Sequence, residues 1–167
     1  MRPASRVDKH LRVRNAALQK AVGLLEQHQP LQAETGAAHG AAWCSKEGEI
    51  VAIREDVGRH NALDNMLGRP SRGKFNPSAG FVLISSRASS ELVYTSAAGG
   101  IELVRAVAAP TTLAVEFAER SGITLAGLLA RAGIMCTLSP NVSKTEPRPM
   151  SEEDQLVKMA NQIAENF

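Results

Sequence analysis

The chain has 167 residues, of which 44% are hydrophobic and 22% are charged, and its formal net charge at pH 7 is +2. These values are typical of one globular domain with a buried core, and they argue against a large basic surface for nucleic acid. Aromatic residues make up 4% of the chain, which also argues against base stacking, whereas a small anionic ligand remains compatible with the charge.

The cellular compartment is predicted from the cysteines and the N-terminal region. Cys44 and Cys136 lie far apart and follow no secretory signal, and residues 1–14 form a basic segment without an apolar core. No apolar run reaches the length of a membrane span, and the cysteines and histidines match no zinc motif. We predict a reduced cytoplasmic protein with no membrane segment and no metal site.

The first predicted element is an amphipathic helix that begins at Asn15 and ends before Pro30. Small residues then fill positions 35–42, where the backbone or a ligand can approach closely. His39 lies among them and is a candidate functional residue. A core or loop histidine is the alternative there.

A predicted β-hairpin comes next. Ala41–Cys44 and Ile50–Arg54 read as strands on either side of a charged turn that contains Gly48. The hairpin leads into residues 54–64, where seven ionisable or amide side chains lie within eleven positions: Arg54, Glu55, Asp56, Arg59, His60, Asn61 and Asp64.

A strand that ends near Arg54, a turn at Gly58 and a helix from about His60 would gather these seven side chains at the carboxyl edge of a sheet. Open α/β folds bind their ligands at this edge. The alternative is a polar connection whose charges satisfy one another.

The second half of the chain alternates strands and helices. Strands are predicted at 81–84, 101–107 and 124–129, and helices at 89–98 and 111–120. This β-α-β-α-β order predicts parallel strands joined by right-handed crossovers, with helices that cover the sheet.

The turn after the strand at 81–84 is a second candidate site. Ser85, Ser86, Arg87 and Ser89 place hydroxyls, a guanidinium and free backbone amides at a helix start, which suits a phosphate. Ordinary N-capping by serine beside a solvent-exposed arginine is the alternative. The residues alone do not separate the two.

Several motifs, in order, resemble the formate dehydrogenase accessory sulfurtransferase family. They are Thr35-Gly36 with His39, the stretch 54–64, the turn 85–89 and the segment 110–115, within a match that spans roughly Leu18 to Leu138. The resemblance implies an α/β three-layer sandwich with a mixed, mainly parallel sheet, similar to the cytidine deaminase fold, in a protein that forms a homodimer.

The resemblance also implies an activity and its partners. Members of this family take sulfur from a cysteine desulfurase and pass it to the bis-molybdopterin guanine dinucleotide cofactor, which the formate dehydrogenase catalytic subunit then uses. Guanosine diphosphate is a partial mimic of that cofactor. Expected cofactor-binding residues in this chain are His39, Arg54, Glu55, Asp56, Arg59, His60, Asn61, Asp64, Ser85, Ser86, Arg87 and Ser89.

Each part of the cofactor has expected partners. Arg59, Arg87 and the amides near Ser89 suit the diphosphate. The paired N–H donors of guanine suit a carboxylate, which could be Glu55, Asp56 or Asp64. The resemblance places His39 and His60 nearer the pterin.

One departure from the family affects the predicted activity. Its members carry a C-G-x-C pair ahead of the region that matches Leu18, and this sequence contains no such pair. A persulfide carrier needs a reactive thiolate with a resolving partner, so neither Cys44 nor Cys136 is expected to transfer sulfur, and no catalytic residue is assigned. Two functions stay open: the cofactor-binding domain of a sulfurtransferase, and a non-catalytic binding module or chaperone that holds the cofactor.

The remainder of the chain is predicted as a separate region. Residues 139–150 are rich in proline and polar residues and are typical of a linker between the domain at 15–138 and the end of the chain. A capping box at Ser151–Asp154 then predicts an amphipathic helix over 151–167.

Overall fold

The computed structural model describes residues 11–68, 76–129 and 134–138. Its helices are α1 (Asn15–Leu25), α2 (Pro30–Thr35), α3 (Arg59–Gly68), α4 (Ser90–Ala98) and α5 (Thr112–Ser121). Its strands are β1 (His39–Ser45), β2 (Ile50–Asp56), β3 (Gly80–Ile84), β4 (Leu103–Ala106), β5 (Thr124–Leu129) and β6 (Ile134–Leu138). The predicted linker at 139–150 and the predicted helix at 151–167 lie outside the described residues.

The strands form one mixed sheet in the order β2-β1-β3-β4-β5-β6. Strand β1 is antiparallel to both β2 and β3, and β6 is antiparallel to β5. Strands β3, β4 and β5 are parallel, because α4 and α5 return the chain to the same end of the sheet. The predicted mixed sheet is confirmed, and its parallel part is limited to these three strands among the described residues.

Helices cover both faces of the sheet. On one face, α1 buries Leu18 and Ala21 against Phe81 and Leu83 of β3. On the other, α3, α4 and α5 bury apolar side chains that include Leu63, Leu92 and Ala118. Full burial of a leucine stabilises the fold by about 1.5–3 kcal/mol, so these two cores hold the three layers together. The predicted three-layer α/β sandwich is confirmed.

The path after α1 differs from the sequence prediction. Helix α1 ends at Leu25 and is followed by a 3-10 turn, Glu26–His28. Pro30 follows the helical pattern of the sequence, but it is also the first residue of α2. Proline is tolerated there, because the first position of a helix needs no N–H donor. A six-residue helix is too short to show a hydrophobic period, which explains why α2 was not predicted.

The same topology brings four segments to one edge of the sheet. Because β1 is antiparallel to both of its neighbours, its first residue lies at the edge where β2 and β3 end. His39 pairs with Asp56, and Ala41 pairs with Ile84. Strand β4 ends at the same edge, since Ile84 pairs with Ala106. None of the helices in ranges 11–68 and 76–129 combines the length and hydropathy required to cross a membrane.

Candidate functional site

The edge formed by the start of β1 and the ends of β2, β3 and β4 carries most of the predicted site residues. Ser85 follows β3 directly, and its backbone N–H donates to the Gly40 carbonyl at 2.9 Å. The Gly40 N–H in turn donates to the Ser85 hydroxyl at 2.8 Å. The turn after β3 is therefore fixed against the start of β1, beside His39.

The pleat of β2 separates carboxylates that the sequence presents as neighbours. Glu55 pairs with Gly40 and turns to the face of the sheet that α1 covers. Its two oxygens accept hydrogen bonds from the N–H groups of Leu31 and Gln32, each at 2.9 Å, so Glu55 caps the start of α2. Both oxygens of Glu55 are thus engaged in holding the fold.

Asp56 points to the opposite face and shapes the turn into α3. Its Oδ1 accepts from the Gly58 N–H at 2.8 Å and from the Asn61 side-chain amide at 3.2 Å. Asp56 and Asn61 therefore bond to each other within this connection, whereas Glu55 is bonded to the backbone of α2. Asp64 is exposed on α3, more than one turn after Arg59.

The starts of α3 and α4 lie side by side. His60 Nε2 is 3.2 Å from Glu91 Oε2, and the Ser89 hydroxyl donates to the same oxygen at 3.4 Å. Ser89 also caps α4, because its hydroxyl accepts from the Leu92 N–H. The Ser86 hydroxyl donates to the Arg87 carbonyl at 3.2 Å.

Two cations flank these helix starts. Arg59 and Arg87 are exposed, and within the described part of the chain neither makes an ion pair or a side-chain hydrogen bond. Arg54 differs from them, since it is half-buried and donates to the Ile53 carbonyl. Arg59 and Arg87 are therefore guanidinium groups that, among the described residues, are available to an anion on this face.

A cavity of about 540 Å³ opens at the same edge, on the face covered by α1. Of the predicted site residues, His39 and Ser85 line it. Gln29 also lines it and was not predicted; this side chain is 6% exposed, and its Nε2 has no hydrogen-bond partner among the described residues. No sequence signal marked Gln29, because it is the last of four consecutive polar residues before Pro30 and nothing distinguishes it from the others.

Arg105 was also missed. It lies in β4 with 1% exposure, donates to the Ala106 carbonyl through NH1, and has a buried Nε without a partner in the described chain. Desolvation by burial lowers the pKa of this guanidinium. An arginine inside the apolar strand at 101–107 was the available signal.

The surroundings of Cys44 and the placement of possible metal ligands describe the thiol and metal chemistry open to the described residues. Cys44 is fully buried between the sheet and α1, and desolvation raises the pKa of its thiol to about 12. Such a thiol forms almost no thiolate near neutral pH and is a poor sulfur nucleophile. No group of three or more His, Cys, Asp or Glu residues in the described ranges is placed to hold a metal ion.

Comparison with known proteins gives a consistent set of relatives. A family model for the FdhD/NarQ family matches residues 1–139. Proteins named sulfur carrier protein FdhD from Xanthomonas euvesicatoria pv. vesicatoria, Chromobacterium violaceum and Variovorax paradoxus are 46%, 46% and 48% identical to the chain. The aligned regions cover 66%, 72% and 68% of this chain but 40%, 44% and 41% of those proteins.

A solved structure agrees with this result. A crystal structure described as a formate dehydrogenase accessory protein from Desulfotalea psychrophila matches the fold with a TM-score of 0.70 and 27% sequence identity. The match covers 83% of this chain and 58% of that chain. Compared with the three sulfur carrier proteins, the chain spans about two fifths of their length.

Proposed function

The chain belongs to the FdhD/NarQ family, and from this premise we propose that it forms the cofactor-binding part of a sulfur carrier that serves formate dehydrogenase. The substrate is the bis-molybdopterin guanine dinucleotide cofactor, which receives sulfur that originates from a cysteine desulfurase. The formate dehydrogenase catalytic subunit takes the sulfurated cofactor. The working unit is a homodimer in the cytoplasm.

One observation carries this proposal: two exposed guanidinium groups without a partner among the described residues flank the sheet edge where His39, Asp56 and the Ser85 turn meet. A guanosine diphosphate group carries negative charge that arginine meets with paired hydrogen bonds. Arg59 and Arg87 supply those bonds on the α3 and α4 side of the edge. His60, held near Glu91, faces the same region.

The guanine base needs a carboxylate with free oxygens. Both oxygens of Glu55 are bonded to α2, so the proposal assigns the base to Asp56 or Asp64 instead. Asp56 uses only Oδ1 within the described contacts, and Asp64 makes none. Of the two, Asp56 lies at the edge itself, opposite His39.

Burial of Cys44 favours a second candidate function, in which the chain holds the cofactor and moves no sulfur. A two-part experiment separates the candidates. Calorimetry with guanosine diphosphate measures cofactor binding, and incubation with a desulfurase and labelled cysteine, followed by mass spectrometry, detects a persulfide on the chain. Binding without a transferable persulfide supports the holding function, and binding with persulfide transfer supports the sulfur carrier. Absence of guanosine diphosphate binding contradicts both.

A further inference from the structure

We propose that the cavity between α1, α2 and the sheet edge is an oxyanion site that binds a phosphate group through Arg105 and Gln29. The inference rests on the proposed function and extends it: the dinucleotide substrate carries several phosphates, and this cavity takes one that Arg59 and Arg87 on the opposite face do not reach. Neither Arg105 nor Gln29 belongs to a motif that the sequence reveals.

Arg105 provides the first line of evidence because it is a buried cation without a counter-charge in the part of the chain that the structure describes. The side chain is 1% exposed and forms no ion pair with the described residues. Its hydrogen bond through NH1 goes to a neutral carbonyl, and Nε has no partner. A buried guanidinium in this condition is costly to the fold, and a bound anion offsets that cost.

The sheet register places Arg105 next to the cavity. Arg105 pairs with Leu83 and Ala126, both of which belong to the core under α1, so its side chain lies on the α1 face. Val107, two positions later and on the same face, lines the cavity. NH1 donates to the Ala106 carbonyl, so the guanidinium extends along β4 in the direction of Val107, and Arg105 lies behind the lining of the cavity.

Gln29 provides an independent second donor. It lines the cavity with 6% exposure, and its Nε2 is buried without a partner. Gly40 makes room for it, since a Cβ at position 40 would lie 2.7 Å from Gln29 Nε2. The chain thus keeps a buried amide donor at this position, where an acceptor oxygen from a ligand would satisfy it.

The charge of the lining is compatible with an anion. Among the described residues that line the cavity, Glu26 is the only carboxylate, and it is exposed, so solvent screens its repulsion. His39 and Ser85 also line the cavity. With Arg105 beside it, the cavity has a net preference for negative charge.

The test is calorimetry of the wild-type chain and Arg105→Met with pyrophosphate and with guanosine diphosphate. Methionine keeps the apolar stem of the side chain and removes the charged guanidinium, so the variant should fold at least as stably as wild type. We expect its affinity for pyrophosphate to fall about tenfold to a hundredfold. Arg120→Met, an exposed arginine at the end of α5, is the matched control and should bind as wild type does.

The outcomes separate this inference from the proposed function. Wild-type affinity in a folded Arg105→Met chain overturns the oxyanion site and leaves the proposed function in place. Pyrophosphate binding that depends on Arg105 supports the site even if guanosine diphosphate does not bind, a result that contradicts the proposed function alone. Failure of the wild-type chain to bind either probe contradicts both.

A second variant covers the possibility that Arg105→Met does not fold. Gln29→Leu preserves the packing against Gly40 and removes the unpaired amide, so we expect folded protein with pyrophosphate affinity reduced about threefold to tenfold. Unchanged affinity in that variant contradicts the role of Gln29. Pyrophosphate should raise the Tm of the wild-type chain but not that of either variant. If Arg105 and Gln29 had a purely structural role, pyrophosphate would raise the Tm of the variants as it raises that of wild type.

Discussion

Ser85 and Gly40 are joined by two hydrogen bonds, one from each backbone N–H, and together they lock the end of β3 to the start of β1. Ser85→Ala removes the acceptor of the Gly40 N–H, which is buried. We expect the free energy of unfolding to fall by about 1–3 kcal/mol in urea titration. Ser90→Ala is the control, because the Ser90 side chain has no hydrogen bond in the described chain, and its effect should stay within about 0.5 kcal/mol. Equal losses of stability in Ser85→Ala and Ser90→Ala would contradict the role of Ser85 in joining β3 to β1.

Glu55 acts as the cap of α2 through the N–H groups of Leu31 and Gln32. Glu55→Ala leaves both donors unpaired, and we expect a loss of stability of about 0.5–2 kcal/mol. Hydrogen exchange should locate that loss, with faster exchange at positions 31 and 32. Glu34→Ala, at the far end of α2, is exposed and should leave exchange at those two amides unchanged.

Gly48 and Gly36 both have positive φ, at 85° and 62°, but their surroundings differ. A Cβ at position 48 would lie 2.2 Å from the Ala17 carbonyl oxygen, whereas nothing lies within 4 Å of one at position 36. Gly36→Ala should cost only the backbone strain of about 1–2 kcal/mol. Gly48→Ala must also displace α1, so thermal denaturation should show a clearly larger loss of Tm for it than for Gly36→Ala.

The sequence predicted the elements with strong patterns and missed features that depend on tertiary contacts. The buried runs at 81–84 and 124–129 and the glycine-terminated helices at 89–98 and 111–120 appear close to their predicted bounds. Helix α2 is too short to show a hydrophobic period, and Glu55, which caps it, lies more than twenty residues away. Local propensity cannot show such a contact.

The candidate site was predicted less completely, for a physical reason. In the sequence, the stretch 54–64 forms one polar cluster. Residues on a strand alternate between faces, however, so Glu55 bonds to the start of α2 and Asp56 to the turn before α3. Arg105 and Gln29 belong to no motif in the sequence, and their relation to the cavity follows only from the register of β4 and from the path of the chain into α2.

Cys44 should give stability a specific pH dependence. Its folded-state pKa is raised by burial from the ordinary value of 9.0 to about 12. The stability that the buried, protonated thiol contributes is therefore fully present below pH 9. As pH rises from 9 toward 12, the unfolded chain loses the thiol proton first, and stability falls. The free energy of unfolding of the wild type relative to Cys44→Ala should therefore decline over this range, and a constant difference would contradict the burial of the thiol.

Cys44 should also resist alkylation at pH 8. In a Cys136→Ser background, the buried and protonated thiol should react with iodoacetamide only as the chain unfolds, at a rate that rises with urea. Cys44→Ala in the same background corrects for reaction at other residues. Rapid modification of the folded chain, observed by mass spectrometry, would make Cys44 a candidate sulfur carrier.

Arg87 tests where the diphosphate of the substrate lies. It is exposed beside the start of α4 and has no partner in the described chain, so Arg87→Ala should leave stability within about 0.5 kcal/mol of wild type. If it meets the diphosphate, the variant loses a charge-assisted contact worth about 1.5–3 kcal/mol, and guanosine diphosphate affinity falls roughly tenfold to a hundredfold. Calorimetry measures this, with Arg120→Ala as the control. Unchanged affinity in folded Arg87→Ala, together with a loss in Arg105→Met, would place the diphosphate in the cavity on the α1 face.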